Sequence, residues 1–151
     1  ASYLAIQKIR YRDILDYQID IDDAILAATI LKLTLQPLVE NALYHGIKNK
    51  RSGGVIRVRG RCRDSAFIHI EIEDNGMGMT PERLAQVRAW LLHDAPGPNE
   101  GGYGLVNVNQ RIRLYYGQRY GLTITSEYGA GTTVSLTIPL RRQPERVSEK
   151  I

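Results

Sequence analysis

Two neighbouring segments constrain this chain more than anything else in it. Val55 to Arg63 and Ala66 to Asp74 both alternate apolar and polar residues, and only Asp64-Ser65 separates them. Period-two alternation puts every second side chain on one face of a strand. Two such runs about a short polar link predict an antiparallel hairpin with one face for a core and one for water. Tyr120 to Tyr128 and Thr132 to Leu140 repeat the pattern around Gly129-Ala130-Gly131.

The remaining segments read mostly as helices. Tyr3 to Tyr17 is amphipathic and mixed in charge. Tyr17 to Asp22 then alternates as a short strand, with Asp22 and Asp23 capping a turn. Leu31 to Gly46 carries an apolar stripe through Leu35, Leu38 and Ala42. Pro37 lies inside it, so this helix either starts close to Gln36 or kinks. Thr80 followed by Pro81 is an N-cap with proline at the first helical position, opening a helix to about Leu92. His93 to Gly102 reads as a loop. Gly104 to Tyr116 is helical again, and Gly117 ends it. This order predicts an α+β fold: a two-layer sandwich whose mixed, mostly antiparallel sheet carries its helices on one face. It does not produce the alternating strand–helix–strand units of a doubly wound fold.

The chain has 151 residues, which fits one domain, and 43% of them are hydrophobic, enough to fold. A single cysteine, Cys62, excludes an internal disulfide and suits a reducing compartment. No apolar run approaches the ~18 residues that span a bilayer. The formal charge is +4, but the basic residues are scattered, and Arg57, Arg59, Arg61 and Arg63 alternate as the solvated face of a strand would. With one Phe and one Trp, the chain lacks the aromatic platforms of RNA-binding modules. No nucleic-acid partner is expected.

Three motifs carry chemistry. In Leu38-Val39-Glu40-Asn41-Ala42-Leu43-Tyr44-His45-Gly46, helical spacing places Asn41, His45 and Lys48 on one face. An Asn carbonyl is a hard oxygen donor of the kind Mg²⁺ accepts. Asp74-Asn75-Gly76-Met77-Gly78 ends an apolar strand, where a carboxylate needs hydrogen bonds to be tolerated. Gly101-Gly102-Tyr103-Gly104-Leu105 opens a helix whose free N–H groups attract anions. Singly, each has an ordinary alternative: a solvated helix face, a strand-ending turn, a glycine-rich connection.

Together and in this order, followed by Gly129-Ala130-Gly131-Thr132-Thr133-Val134, they resemble the N, G1, G2 and G3 boxes of the GHKL ATPase superfamily. Leu35-Gln36-Pro37-Leu38-Val39-Glu40-Asn41-Ala42 and Gly104-Leu105-Val106-Asn107-Val108-Asn109-Gln110-Arg111-Ile112 are similar to the LytS/YesM-type sensor histidine kinases. The resemblance spans about Tyr3 to Leu140 and implies a Bergerat-type sandwich that binds ATP with Mg²⁺. It implies that Asn41 ligates the metal and that Glu40 helps activate the γ-phosphate end. By the same resemblance His45 and Lys48 lie near the phosphates, and Asp74 accepts from the adenine amine. Gly76 and Gly78 form the pocket wall, and Gly102, Gly104 and Leu105 wrap the phosphates. Thr132 reaches adenine through water, and the residues between Leu92 and Gly101 form a lid. Glu100 departs from the family pattern, which has glycine there.

The resemblance further implies a division of the chain. Residues 1–17 would be a connector helix from an upstream dimerisation and phosphoacceptor domain, 18–141 the catalytic domain, and 142–151 a polar tail. None of His45, His69 and His93 lies in a helix ahead of the nucleotide motifs, where the family places its phosphoacceptor. His69 fits a structural role and His93 an exposed one. The expected activity is transfer of the γ-phosphoryl group of ATP to a histidine of the upstream domain, and then to a cognate response regulator. The whole protein is expected to be a membrane-anchored homodimer with this part in the cytoplasm. Two other readings are a stand-alone GHKL ATPase or anti-sigma-type serine kinase, and a non-enzymatic nucleotide-binding module.

Overall fold

The structure, a computed structural model, describes residues 2–10, 15–47, 53–95 and 102–141. In chain order it comprises α1 (Ser2–Arg10), β1 (Leu15–Ile21), a 3₁₀ turn (Asp23–Ile25), α2 (Leu35–Asn41), a π-helical segment (Ala42–Ile47), β2 (Gly54–Arg63) and β3 (Phe67–Asp74). It continues with α3 (Pro81–His93), α4 (Tyr103–Tyr116), β4 (Leu122–Glu127) and β5 (Gly131–Pro139).

The five strands form one sheet in the order β1-β2-β3-β5-β4. β1 runs parallel to β2, and every other pair is antiparallel. Both hairpins read from the alternation are present. At the first, Asp64 and Ser65 have φ of 51° and 53°, and the Ala66 N–H donates to the Arg63 carbonyl at 3.1 Å. Positive φ at both central positions gives a turn whose twist matches that of the flanking strands.

The alternation also sorts the faces. Ile56 and Val58 of β2, Ile68, Ile70 and Ile72 of β3, Ile124 of β4 and Val134, Leu136 and Ile138 of β5 are buried beneath the helices. Leu38 of α2, Trp90 and Leu91 of α3, and Val106 and Ile112 of α4 complete one continuous core. The opposite face is polar and paired within itself. Glu73 takes Arg57 on one carboxylate oxygen and Arg59 on the other, both at 2.9 Å, while Arg61 pairs with Asp20. His69, whose side chain is only 13% exposed, reaches Thr137 Oγ1 at 2.8 Å. The alternating arginines therefore serve the sheet, where such half-exposed pairs contribute modestly.

Two readings of the sequence need correction. The first helix ends at Arg10, and Leu15 to Tyr17 already belong to β1. The free edge of β2 supplies the reason: Leu15 pairs with Gly54 and Ile21 with Gly60, and this ladder outweighs the local helical pattern. Asp22 does not cap the 3₁₀ turn with its side chain; its Oδ2 accepts from the Cys62 N–H at 3.0 Å. Of the two possibilities at Pro37, the late start holds. α2 begins at Leu35, so Pro37 falls in the first turn, where a missing N–H goes unused. At the other predicted ends, Thr80 Oγ1 accepts from the Arg83 N–H at 3.3 Å, and Gly117 follows α4 with φ 115°.

Candidate nucleotide-binding site

The helices and the sheet part at one end of the sandwich. There a cavity of about 290 Å³ is lined by α2 and its π-helical continuation, the β3–α3 connection, α3, the start of α4 and the β4–β5 hairpin.

Its floor is where β3 ends. Asp74 is 4% exposed and pairs in register with Thr132 of β5. A carboxylate so deep must be hydrogen-bonded. The Gly76 N–H donates to Asp74 Oδ1 at 2.9 Å, and the chain then turns beneath the π-helical segment, with the Met77 N–H on the Gly46 carbonyl at 3.1 Å. Two glycines permit this approach. A Cβ on Gly46 would stand 2.4 Å from Asp74 Oδ1, and one on Gly76 would stand 2.2 Å from the Gly46 carbonyl group. Backbone thus packs on backbone with the carboxylate gripped between them. Gly46→Ala is accordingly expected to displace the Asp74 carboxylate and lower nucleotide affinity by on the order of tenfold or more. Calorimetry on that variant checks it, and wild-type affinity would contradict the close packing.

α3 forms one wall. Arg83, Val87 and Trp90 line the cavity together, and the Arg83 guanidinium lies over the Trp90 ring at 4.7 Å from its centre. The same ring meets the entry to α4, where a Cβ on Gly102 would approach it to 2.7 Å. Gly102 has φ 85°, and Leu105 of the first turn of α4 also lines the cavity. The first N–H groups of α4 have no partner within the helix, which gives this end of the cavity a preference for anions. Opposite, Asn41 is the last α-helical residue of α2 and His45 lies in the wider π winding; both reach the cavity. π-helical turns of this kind are frequent at functional sites.

The cavity therefore gathers Asn41, His45, Asp74, Gly78, Gly102, Leu105 and Thr132 from the residues read in the sequence. Gly76 sits behind the wall against Gly46. Glu40 and Gly104 do not line the cavity; Glu40 Oε1 accepts from Gln36 at 3.0 Å, and the space around Gly104 is open. Lys48 lies outside the described residues, as do the expected lid positions 96–101 with Glu100. His93, also assigned to the lid, is instead the last residue of α3. From sequence, no site role fell to Gly46, Met79, Thr80, Arg83, Val87 or Tyr128, and Trp90 stood only at the base of the lid. The spacing of Arg83, Val87 and Trp90 at i, i+4 and i+7 puts them on one helix face and was the available signal.

Among the described residues, no cluster of three or more His, Cys, Asp or Glu side chains could cage a metal. One Asn oxygen at the cavity edge fits a cation that takes its other ligands from phosphates and water, as Mg²⁺ does. No helix among the described residues is long and apolar enough to cross a membrane.

The sequence profile of the histidine kinase-, DNA gyrase B- and HSP90-like ATPases matches residues 28–142. The uncharacterized protein YwpD of Bacillus subtilis is 40% identical over 92% of this chain and 46% of its own length. Sensor histidine kinase YesM of the same organism is 36% identical over 93% of the chain and 22% of its own length. Sensor protein LytS of Staphylococcus saprophyticus is 32% identical over 98% and 24%. The chain thus spans less than half the length of these relatives. Among solved structures, the catalytic domain of histidine kinase ThkA superposes with a TM-score of 0.65 at 15% identity, over 93% of this chain and 89% of that one. The histidine kinase domain of the blue-light activated kinase of Erythrobacter litoralis gives 0.61 at 23%, over 92% and 60%. At such identities the likeness is one of fold.

Proposed function

The chain belongs to the histidine kinase-, DNA gyrase B- and HSP90-like ATPase family, and from that membership we propose that it is the Mg-ATP-binding catalytic domain of a two-component sensor histidine kinase. The observation that carries the reading is the buried Asp74 carboxylate beside Thr132, at the floor of a cavity that opens onto the N-terminus of α4. Adenine offers an amine that a fixed carboxylate matches, and a triphosphate offers the charge that free helix N–H groups match. The names of YesM and LytS support the kinase over the stand-alone ATPase or serine kinase.

In this reading Asp74 and Thr132 orient the base, Gly76 and Gly78 form the wall beside it, and Gly102, Gly104 and Leu105 lie around the phosphates. The π-helical side supplies Asn41 as a magnesium ligand and His45, with Lys48, near the phosphates. Asn41 would hold the Mg²⁺, which would supply charge neutralisation to the phosphates. Glu40 is adjacent to Asn41 and is proposed to help activate the reacting γ-phosphate end. The attacking imidazole belongs to an upstream dimerisation and phosphoacceptor domain. Its ring nitrogen forms a bond to the γ-phosphorus as the bond to the β–γ bridging oxygen breaks, and ADP leaves. The phosphoryl group then passes to a response regulator. We assign the residues before Leu15 as the approach from that upstream domain, 15–141 as the catalytic domain, because Leu15–Ile21 is a strand of its sheet, and 142–151 as a tail. The whole protein is proposed to be a membrane-anchored homodimer with this domain on the cytoplasmic side.

Asn41→Ala should weaken Mg-ATP binding while leaving metal-free nucleotide binding nearly intact; equal losses with and without Mg²⁺ would point to a structural role. The activity itself is tested by label transfer from γ-labelled ATP. Alone, the chain is expected to bind Mg-ATP, hydrolyse it slowly at most and remain unlabelled. A helical phosphoacceptor domain added in trans is expected to become labelled on histidine. Acid-labile label on His45, His69 or His93 would overturn the assignment of the acceptor.

A further inference from the structure

We propose that Ser126 is a positioning residue that fixes Thr132 as a hydrogen-bond acceptor and thereby sets which purine the site takes. The inference rests on the nucleotide reading above and concerns a residue of β4 that does not itself line the cavity.

Three groups converge on the Ser126 hydroxyl. The Met79 N–H donates to its Oγ at 2.8 Å, Oγ lies 2.9 Å from the Gly131 carbonyl oxygen, and Thr132 Oγ1 is 2.8 Å away. A serine hydroxyl has one proton to give and two lone pairs to receive with. The Met79 N–H can only donate and the Gly131 carbonyl can only accept. One arrangement satisfies every group: Ser126 donates to Gly131, accepts from Met79, and accepts its second hydrogen bond from Thr132. The other arrangement turns the Ser126 proton onto Thr132 and takes it from the Gly131 carbonyl, in a residue that is buried.

The consequence lies at the cavity floor. With its proton held by Ser126, Thr132 has only lone pairs left for a ligand. Asp74, its register partner, is acceptor-only when ionised. Two acceptors side by side select a base edge that donates. The 6-amine of adenine does so, directly or through a shared water. A 6-carbonyl purine brings a third acceptor and leaves one of them unmatched, and unmatched buried acceptors are what make polar sites selective. Ser126 also ties the Met77–Met79 turn to β4, so the same hydroxyl joins the two sides of the floor.

The experiment compares ATP with inosine triphosphate, which carries a carbonyl at the 6-position, by calorimetry on the whole chain. The wild-type chain is expected to prefer ATP. In Ser126→Ala, Thr132 recovers a free proton, and the ATP-over-inosine preference should narrow about fivefold, the equivalent of one neutral hydrogen bond. Ser126→Thr keeps the hydroxyl and should restore the preference. Thr132→Val should narrow it with Ser126 intact, and adding Ser126→Ala to that variant should change nothing further. A merely structural role would lower both affinities together. An unchanged ratio in Ser126→Ala or in Thr132→Val, or parallel losses for the two nucleotides, overturns the proposal. A wild-type chain that binds neither nucleotide would instead overturn the reading on which it rests.

Discussion

Asp74→Asn is expected to lower ATP affinity by about 10- to 150-fold, because a hydrogen bond to a charged group contributes roughly 1.5–3 kcal/mol. The substitution preserves shape, so the effect isolates chemistry. One oxygen of residue 74 is committed to the Gly76 N–H at 2.9 Å. An Asn that keeps its carbonyl oxygen there must turn its NH₂ group toward the ligand, donor against donor. Flipping the amide removes the Gly76 bond instead, in a residue that is 4% exposed. Either way one buried group loses its partner. Calorimetry gives the affinity and a thermal melt shows whether the fold persists; unchanged affinity in a folded variant would remove Asp74 from the base-binding role.

Asn109→Leu should destabilise the chain by about 3 kcal/mol, lowering Tm by about 10 °C. Asn109 is fully buried in α4, and its amide ties three elements together. Nδ2 donates to the Leu91 carbonyl at 2.9 Å and to Asp94 Oδ1 at 2.8 Å, while Oδ1 accepts from the Leu122 N–H at 2.8 Å. Asp94 also pairs with Arg113 at 3.0 Å and ends α3 in the left-handed conformation. Leucine matches the volume but strands the Leu91 carbonyl and the Leu122 N–H in the interior. The cost is therefore set by orphaned backbone groups and not by a cavity. A chemical denaturation curve with an unchanged midpoint would show that these bonds are redundant.

The hairpins were legible because one face of each strand is buried and the other wet, so burial is written into alternate residues such as Ile68, His69, Ile70 and Glu71. Helix ends were legible at Thr80-Pro81 and Gly117, where a single residue type satisfies a local backbone need. The partnership of β1 with β2 was not, because it joins Leu15 to Gly54 across a helix and nothing in either segment names the other. At the floor of the site Asp74 stood out because a carboxylate ending an apolar strand demands an explanation, whereas Thr132 came only from the family resemblance. Its wall was missed. Arg83, Val87 and Trp90 look like any mixed helix face until the Trp90 ring is seen against Gly102. Asn109 was read only as part of a motif, and its role depends on Leu91 and Leu122, 18 and 13 residues away.

The central claim is that the cavity between α2, α3 and α4 is where this chain binds Mg-ATP. Amide resonances followed during a titration with a non-hydrolysable ATP analogue and Mg²⁺ test it most directly. The account predicts saturable shifts at Gly46, Gly76, Gly78, Gly102 and Thr132, with Arg59, His69 and Thr137 on the opposite face of the sheet unmoved. Shifts confined to that opposite face, or none at all, would contradict it.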